Sequence, residues 1–342
     1  MNLQALLLVA ASMAAHSTAE FTVTSGTTEA TTSSTEHVSF VKQWTLNSAT
    51  NGDNIDSIDL DLAGRVYVSY VSGLPSGVLG YVNVSGDSQT VVDAVTLNVR
   101  IGNSTSTTLS GYLLTEIFLA SSGIVTDVKS QRSAQVVVED GVLVSSSTTA
   151  ELQVEASGSS AVYVSAASTA VSVRQLQLDA AGTASLQFNV ESVAASEEVQ
   201  IDAQGSAGVA LLASSVEAAT LELEAQNTGT ICISAQTVTA TNYEGRDASR
   251  ISMPNASSKY TSTGTATCDE STVPAREPAC VSSACAGSSS SGTTGTVGTT
   301  TTTTAPATAN DDDASDDTNA SSAPRLAALA AAAIGVATAI LL

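Results

Sequence analysis

Apolar and polar residues alternate along most of this chain at a period of two. Val38, Phe40, Trp44 and Leu46 keep that spacing, as do Ile58, Leu60 and Leu62, and then Val66 and Val68. Such alternation predicts strands with one buried face. No sustained helical periodicity interrupts it between His37 and about Tyr243.

Further along, the alternation turns into a repeat. "LQVEASGSSAVYV" at Leu152 returns as "LQLDAAGTASLQF" at Leu176 and as "VQIDAQGSAGVAL" at Val199. A looser fourth version, "LELEAQNTGTICI" at Leu221, carries two extra residues before its glycine, and the starts lie 24, 23 and 22 residues apart. Aligned, position one holds Leu152, Leu176, Val199 and Leu221, and position three holds Val154, Leu178, Ile201 and Leu223. Beyond the glycine, Val162, Leu186, Val209 and Ile231 correspond, as do Val164, Phe188, Leu211 and Ile233. A weaker third mark follows at Val171, Val193, Val216 and Val238.

Three short strands in 22 to 24 residues match one coil of a parallel β-solenoid. Coils stacked about 4.8 Å apart would set equivalent apolar residues in internal columns. Gln153, Gln177, Gln200 and Glu222 would then form an external column. One coil cannot bury its own apolar face, so the phrase has to recur for any copy to be stable. An antiparallel sandwich is the competing arrangement, but it favours Asn-Gly or Asp-Gly turns and gives no reason for the same corner each time. Upstream, Val136 with Val138 and Val142 with Val144 read as a shortened coil. The expectation is an all-β chain, with a solenoid over residues 37–245, a cysteine-bearing cap or linker over 246–285, and a disordered Ser/Thr-rich stalk after it.

The strand-Gly-Ser/Thr-strand unit resembles the auto-transporter adhesin head domain family of the GIN type. The match is best from Leu152 to Val238 and extends back at most to "IDLDLAGRVYVSY" at Ile58. The family's Gly-Ser-Gly corner is replaced here by Gly-Ser-Ser, Gly-Thr-Ala, Gly-Ser-Ala and Gly-Thr-Ile. What the resemblance implies is a β-solenoid surface domain with an adhesive role and no catalytic residues.

Both ends read as processing signals. Met1 to Ala19 has an apolar stretch and ends in Ser17-Thr18-Ala19, which suits signal-peptidase cleavage although no Lys or Arg precedes it. Residues 20–36 are a Ser/Thr-rich lead-in. At the other end, residues 326–342 form an uncharged apolar tail of 17 residues. It is short for a membrane span and lacks a positive stop. With the polar spacer before it, it matches a glycosylphosphatidylinositol anchor signal, with attachment at Asp313 or, as the rival site, Asn319. Residues 286–325 then hold the stalk, the anchor site and the spacer. These features predict export and attachment to the outer face of the membrane or the cell wall.

Charge narrows the partners. With 33 acidic and 11 basic residues the formal charge is −22, which repels nucleic acid and anionic lipid. Contact with the membrane is therefore expected through the lipid anchor alone, and extracellular glycans or surface proteins are the candidate partners. Only 13% of residues are charged, so this is not the composition of a disordered chain. Four cysteines in an exported chain, Cys232, Cys268, Cys280 and Cys285, predict two disulfides in one of three connectivities, of which the repeat register favours Cys232 with Cys268, leaving Cys280 with Cys285. Cys232 lies between inward Ile231 and Ile233, so it should point outward and clamp the chain that follows.

Catalytic and metal chemistry find little support. His37 is the only histidine past the leader, and there is neither a Gly-x-Ser-x-Gly elbow nor a Cys-x-x-Cys pair. Asp59 with Asp61, and Glu222 with Glu224, alternate with apolar residues and read as solvated strand faces. Arg174 is the only basic residue between Arg132 and Arg246, too few for an anionic polysaccharide. "DDDASDD" at Asp311 lacks the calcium-loop template. No metal or cofactor is expected. Sequons at Asn83, Asn103 and Asn255 are candidate N-glycan sites in an exported chain. The reading is a non-enzymatic, lipid-anchored surface glycoprotein for adhesion or for cell-wall or coat structure. The alternative is a carbohydrate-active solenoid enzyme.

Overall fold

A computed structural model describes residues 21–31, 38–49, 53–98, 111–260, 264–265, 268, 272–276 and the backbone of 338–341. The leader, Asn103, Cys280, Cys285, the stalk, and both Asp313 and Asn319 lie outside the described residues. The chain is nearly all β and forms a parallel β-solenoid of about five turns.

Each coil has three faces. The first face stacks Ser57–Asp61, Asp127–Ser130 and the later part of Ser146–Ala156, then continues through residues 175–180, 198–203 and 220–225. Its inner column reads Ile58, Val128, Val154, Leu178, Ile201 and Leu223, each fully buried. The second face stacks Ala63–Tyr70, Ser133–Glu139 and residues 161–166, 185–189, Gly208–Leu212, Thr230–Ser234 and Ile251–Ser252. Its inner columns are Val66, Val136, Val162, Leu186, Val209 and Ile231, and Val68, Val138, Val164, Phe188, Leu211 and Ile233. The weak third mark is a real face, with Val171, Val193, Val216 and Val238 in register. Apolar side chains of similar kind meet row on row, so a Leu, Val or Ile packs on another above and below it.

One corner sets the register. From the inner column of the first face to that of the second the spacing is always eight residues, as from Val154 to Val162 or Leu223 to Ile231. At this corner Arg132, Gly158, Gly182, Gly205 and Asn227 all have positive φ, between 58° and 79°. A Cβ on Gly182 would lie 2.7 Å from the Gly158 carbonyl oxygen, and one on Gly205 would lie 2.7 Å from that of Gly182. The left-handed backbone together with this close approach explains the glycine at the three middle rows of the corner. The fourth copy therefore has no insertion: Asn227, a residue that tolerates this conformation, stands where the others have glycine. Gly229 is a different position, in register with Ala207. The shift from 24 to 22 residues is absorbed instead at irregularities on either side of the third face.

Upstream the expectation needs two corrections. The coil containing Val136 is not shortened, since Val128 to Val154 spans 26 residues, with a bulge between Ser147 and Glu151. Nor is the region from residue 37 onward all solenoid. Between the coil at Ser57–Tyr70 and the one at Asp127 the chain makes Val78–Gly86, the short helix Gln89–Asp93, Thr96–Asn98 and Leu113–Leu119. Val78–Gly86 pairs antiparallel with Leu113–Leu119 and with Phe40–Ser48, and Phe40–Ser48 pairs antiparallel with Phe21–Ser25. Part of the lead-in is thus a strand, with Phe21 buried. The antiparallel sheet, attached through Leu113–Leu119 to Ala63–Tyr70, covers the open end of the first coil.

The other end is closed by a short cap. Ile251, Met253, Ala256 and Tyr260 are buried there. The Tyr260 hydroxyl donates to the Val238 carbonyl at 3.2 Å and accepts from Ala240 N at 2.9 Å, satisfying the edge of the third face. The backbone of Thr338–Leu341 lies antiparallel to residues 58–61.

Candidate functional site

Two outward surfaces carry polar side chains in register. On the first face, one outer column runs Asp127, Gln153, Gln177, Gln200, Glu222 and Glu244. Beside it runs Asp59, Lys129, Glu155, Asp179, Asp202, Glu224 and Arg246. Strand alternation turns these side chains away from the core, and row spacing sets them about 4.8 Å apart.

The two columns largely satisfy each other. Gln177 and Gln153 donate to Asp179 at 2.8 and 3.3 Å, and Gln200 donates to Asp202 at 3.0 Å. Arg246 and Gln226 each reach Glu224 at 2.9 Å. Partial burial raises the carboxyls of Asp179 and Asp202 above their ordinary range, against the pull of those glutamine donors. Asp59 is raised for the same reason, with Lys129 opposing. One oxygen of each of these three aspartates is buried without a hydrogen bond. Asp61 leaves the ladder by pairing with Arg132, whose Nη2 lies 2.9 Å from it. The paired acids are therefore a flat, half-solvated ladder.

The second surface is unusual because it points outward and is nonetheless buried. The outer column of the second face reads Gln43, Asn83, Glu116, Tyr67, Val137, Tyr163, Gln187, Ala210, Cys232 and Ser252. Seven of these ten are buried, Asn83 and Glu116 down to 1% exposure. What covers it includes the chain that follows the cap. Cys268 forms a disulfide with Cys232, with a Cα–Cα distance of 5.1 Å, which is the pairing expected from the repeat register. Five residues on, Val273 packs against the cluster of Tyr67, Leu114 and Val137, and the Tyr67 hydroxyl donates to the carbonyls of Pro274 and Ala275.

Arg276 ends this strap in a socket. Its guanidinium donates to Glu139 at 2.8 Å and to Ser69, and Nη1 stands 3.5 Å from Glu116. It also lies 5.1 Å from the ring centre of Tyr67 and 5.7 Å from that of Phe118. Burial pushes the Glu116 carboxyl up to about 7, with Arg276 opposing and Glu139 reinforcing. Neither Glu116 oxygen has a hydrogen-bond partner among the described residues.

The structure sorts the sequence candidates. Asn255 is exposed and its amide donates to the Ala235 carbonyl at 2.7 Å. Asn83 is enclosed in the sheet, where Gln43 donates to its carbonyl oxygen at 2.9 Å, so the folded chain offers no room for a glycan there. Glu116, Glu139 and Arg276 were not singled out by sequence. Glu116 did carry a signal, as the one charge in the apolar run "YLLTEIFLA". Among the described residues no group of His, Cys, Asp and Glu gathers as a metal site, and no helix is long and apolar enough to cross a membrane. Comparison with known proteins finds no matching family model, no matching curated protein and no matching solved structure.

Proposed function

We propose that this chain is a lipid-anchored surface glycoprotein whose solenoid serves adhesion or the building of a cell wall or coat, without catalysis. The observation that carries this reading is the ladder on the first face. Its carboxylates and amides repeat at strand spacing over successive rows, so one ligand chemistry would be met many times along a flat, extended surface. Acceptor carboxylates beside donor amides suit a hydroxyl-rich ligand such as a glycan chain. The leader, the Ser/Thr-rich stalk and the apolar tail support surface attachment, and the resemblance to adhesin heads points the same way. Glycan-array binding of the recombinant chain tests the reading. Binding that weakens progressively through Asp179→Ala and then Asp179→Ala with Asp202→Ala is expected, and an array without signal would remove the glycan-adhesion reading. Release from cells by phosphatidylinositol-specific phospholipase C tests the anchor. A mature form that still contains residues 326–342 would overturn it.

The second reading, a carbohydrate-active solenoid enzyme, draws on the socket. Two carboxylates and an arginine converge there, and Glu116 is held near neutrality as a general acid requires. Polysaccharide cleavage that disappears in Glu116→Gln would favour it over adhesion.

A further inference from the structure

The Arg276 socket has the shape of a recognition site rather than of a surface ion pair. Its walls are two aromatic rings, its floor is a carboxylate exposed by only 1%, and its rim supplies Glu139 and Ser69. A planar cation with several fixed donors fits such a site, because it stacks on rings while bonding several acceptors at once. An ammonium group is a point charge and does neither as well. Glu116 still lacks a hydrogen bond with Arg276 at 3.5 Å, so acceptor capacity is left in the floor. Three residues before the arginine, the apolar patch of Tyr67, Leu114 and Val137 takes Val273.

We propose that Ser69, Glu116 and Glu139, with the rings of Tyr67 and Phe118, form a guanidinium-binding site for an extended peptide bearing an apolar residue three positions before an arginine. The chain's own Val273–Arg276 stretch fills it in cis, so the strap acts as a resident ligand. An incoming peptide of the same pattern binds when the strap lifts. The charged groups facing Glu116 are Arg276 and Glu139, and of these only Arg276 favours its charged form. Binding therefore strengthens as pH rises through neutrality.

Chemical rescue of the full chain tests this. Arg276→Ala should melt at a lower temperature than the unaltered chain, and ethylguanidinium should recover at least half of the loss while ethylammonium recovers little. The unaltered chain, with its socket filled, should gain nothing from either. A fluorescent peptide of sequence TVPARE should bind Arg276→Ala at least tenfold tighter than it binds the unaltered chain, and a TVPAKE peptide should bind Arg276→Ala weakly. Equal effects of the two small cations, or equal peptide binding by the two chains, would overturn the proposal. Hydrogen exchange of residues 272–276 in the unaltered chain needs no variant: protection is expected, and exchange at the rate of a free peptide would also overturn it.

Discussion

The regular coils after Glu151 and the first coil with its antiparallel strands solve the same burial problem in different ways. In the regular coils the core consists of repeated Leu, Val, Ile and Ala, with Phe188 the one large ring among the fully buried residues. Around the first coil the buried set includes Trp44, Tyr67 and Phe118, together with Ser69, Asn83, Ser85, Thr115 and Glu116. Several of these polar side chains have buried atoms without a hydrogen bond: the Asn83 amide nitrogen, the hydroxyls of Ser85 and Thr115, and both Glu116 oxygens. Repetition lets polar groups find partners within the stack, as Gln153 finds Asp179 one row away, although Asp179 and Asp202 each keep one buried oxygen without a hydrogen bond. Where the rows differ, no such neighbour is supplied, and polar groups are left for something outside the coil to satisfy. Arg276 brings a counter-charge to within 3.5 Å of Glu116 and hydrogen-bonds Ser69 and Glu139 beside it.

The largest effect should come from the regular half. Leu178→Asp puts a carboxylate into a fully buried column, at a cost of several kcal/mol, and should abolish cooperative thermal melting. A variant that melts within a few degrees of the parent would contradict the inward assignment of that column. Next is the clamp between the last coil and the chain that follows the cap. Cys232→Ser opens a loop of sequence separation 36 and should cost about 3 to 4 kcal/mol in the chain-entropy model. Non-reduced peptide mapping checks the bond directly, and Cys232 recovered with Cys280 or Cys285 would break the pairing.

The irregular half should announce itself through pH. Because the Glu116 carboxyl sits at about 7 against an ordinary 4.5, the folded chain holds a proton there that the unfolded chain has already released. Its stabilising contribution is full below the unfolded value and declines as pH rises through about 7. The difference amounts to about 3 kcal/mol. Glu116→Gln should remove that part of the slope in denaturant melts taken across the range. An unchanged slope would mean that the carboxyl is better solvated than its burial indicates.

The smallest contrast lies along a single corner. Gly182→Ala should cost about 2 kcal/mol, from the left-handed conformation and the contact with the Gly158 carbonyl. Arg132→Gly at the equivalent position two coils upstream relieves the same strain but loses the bond to Asp61, and should change stability by less than about 1 kcal/mol. Similar melting shifts for the two would show that the corner is not the element that sets the register.

Much of this fold was legible because stacking is written into the sequence: a column of equivalent environments asks for equivalent residues, and Leu152, Leu176, Val199 and Leu221 are all aliphatic. The outward placement of Cys232 followed from the same logic. Asn227 was misread because composition marks glycine, whereas the corner demands a backbone conformation that asparagine also reaches. The antiparallel strands escaped because they share the period of two and differ only in partner, which alternation cannot express. The strap escaped for a further reason. Its register is fixed by contacts between residues about two hundred positions apart, such as Tyr67 with Ala275, and no local pattern encodes them.

The strap also decides how tension enters the molecule. From Cys268 to Arg276 the chain returns toward the first coil, past the five rows that separate Cys232 from Tyr67, a distance of about 24 Å at strand spacing. A pull on the chain beyond Arg276 acts first on the guanidinium socket, then on Val273, and only afterwards on the disulfide. Non-covalent contacts give way one at a time and release up to about 28 Å of extended chain before any coil bears force. Under such a pull the strap is a short extensible leash that stops at a covalent knot.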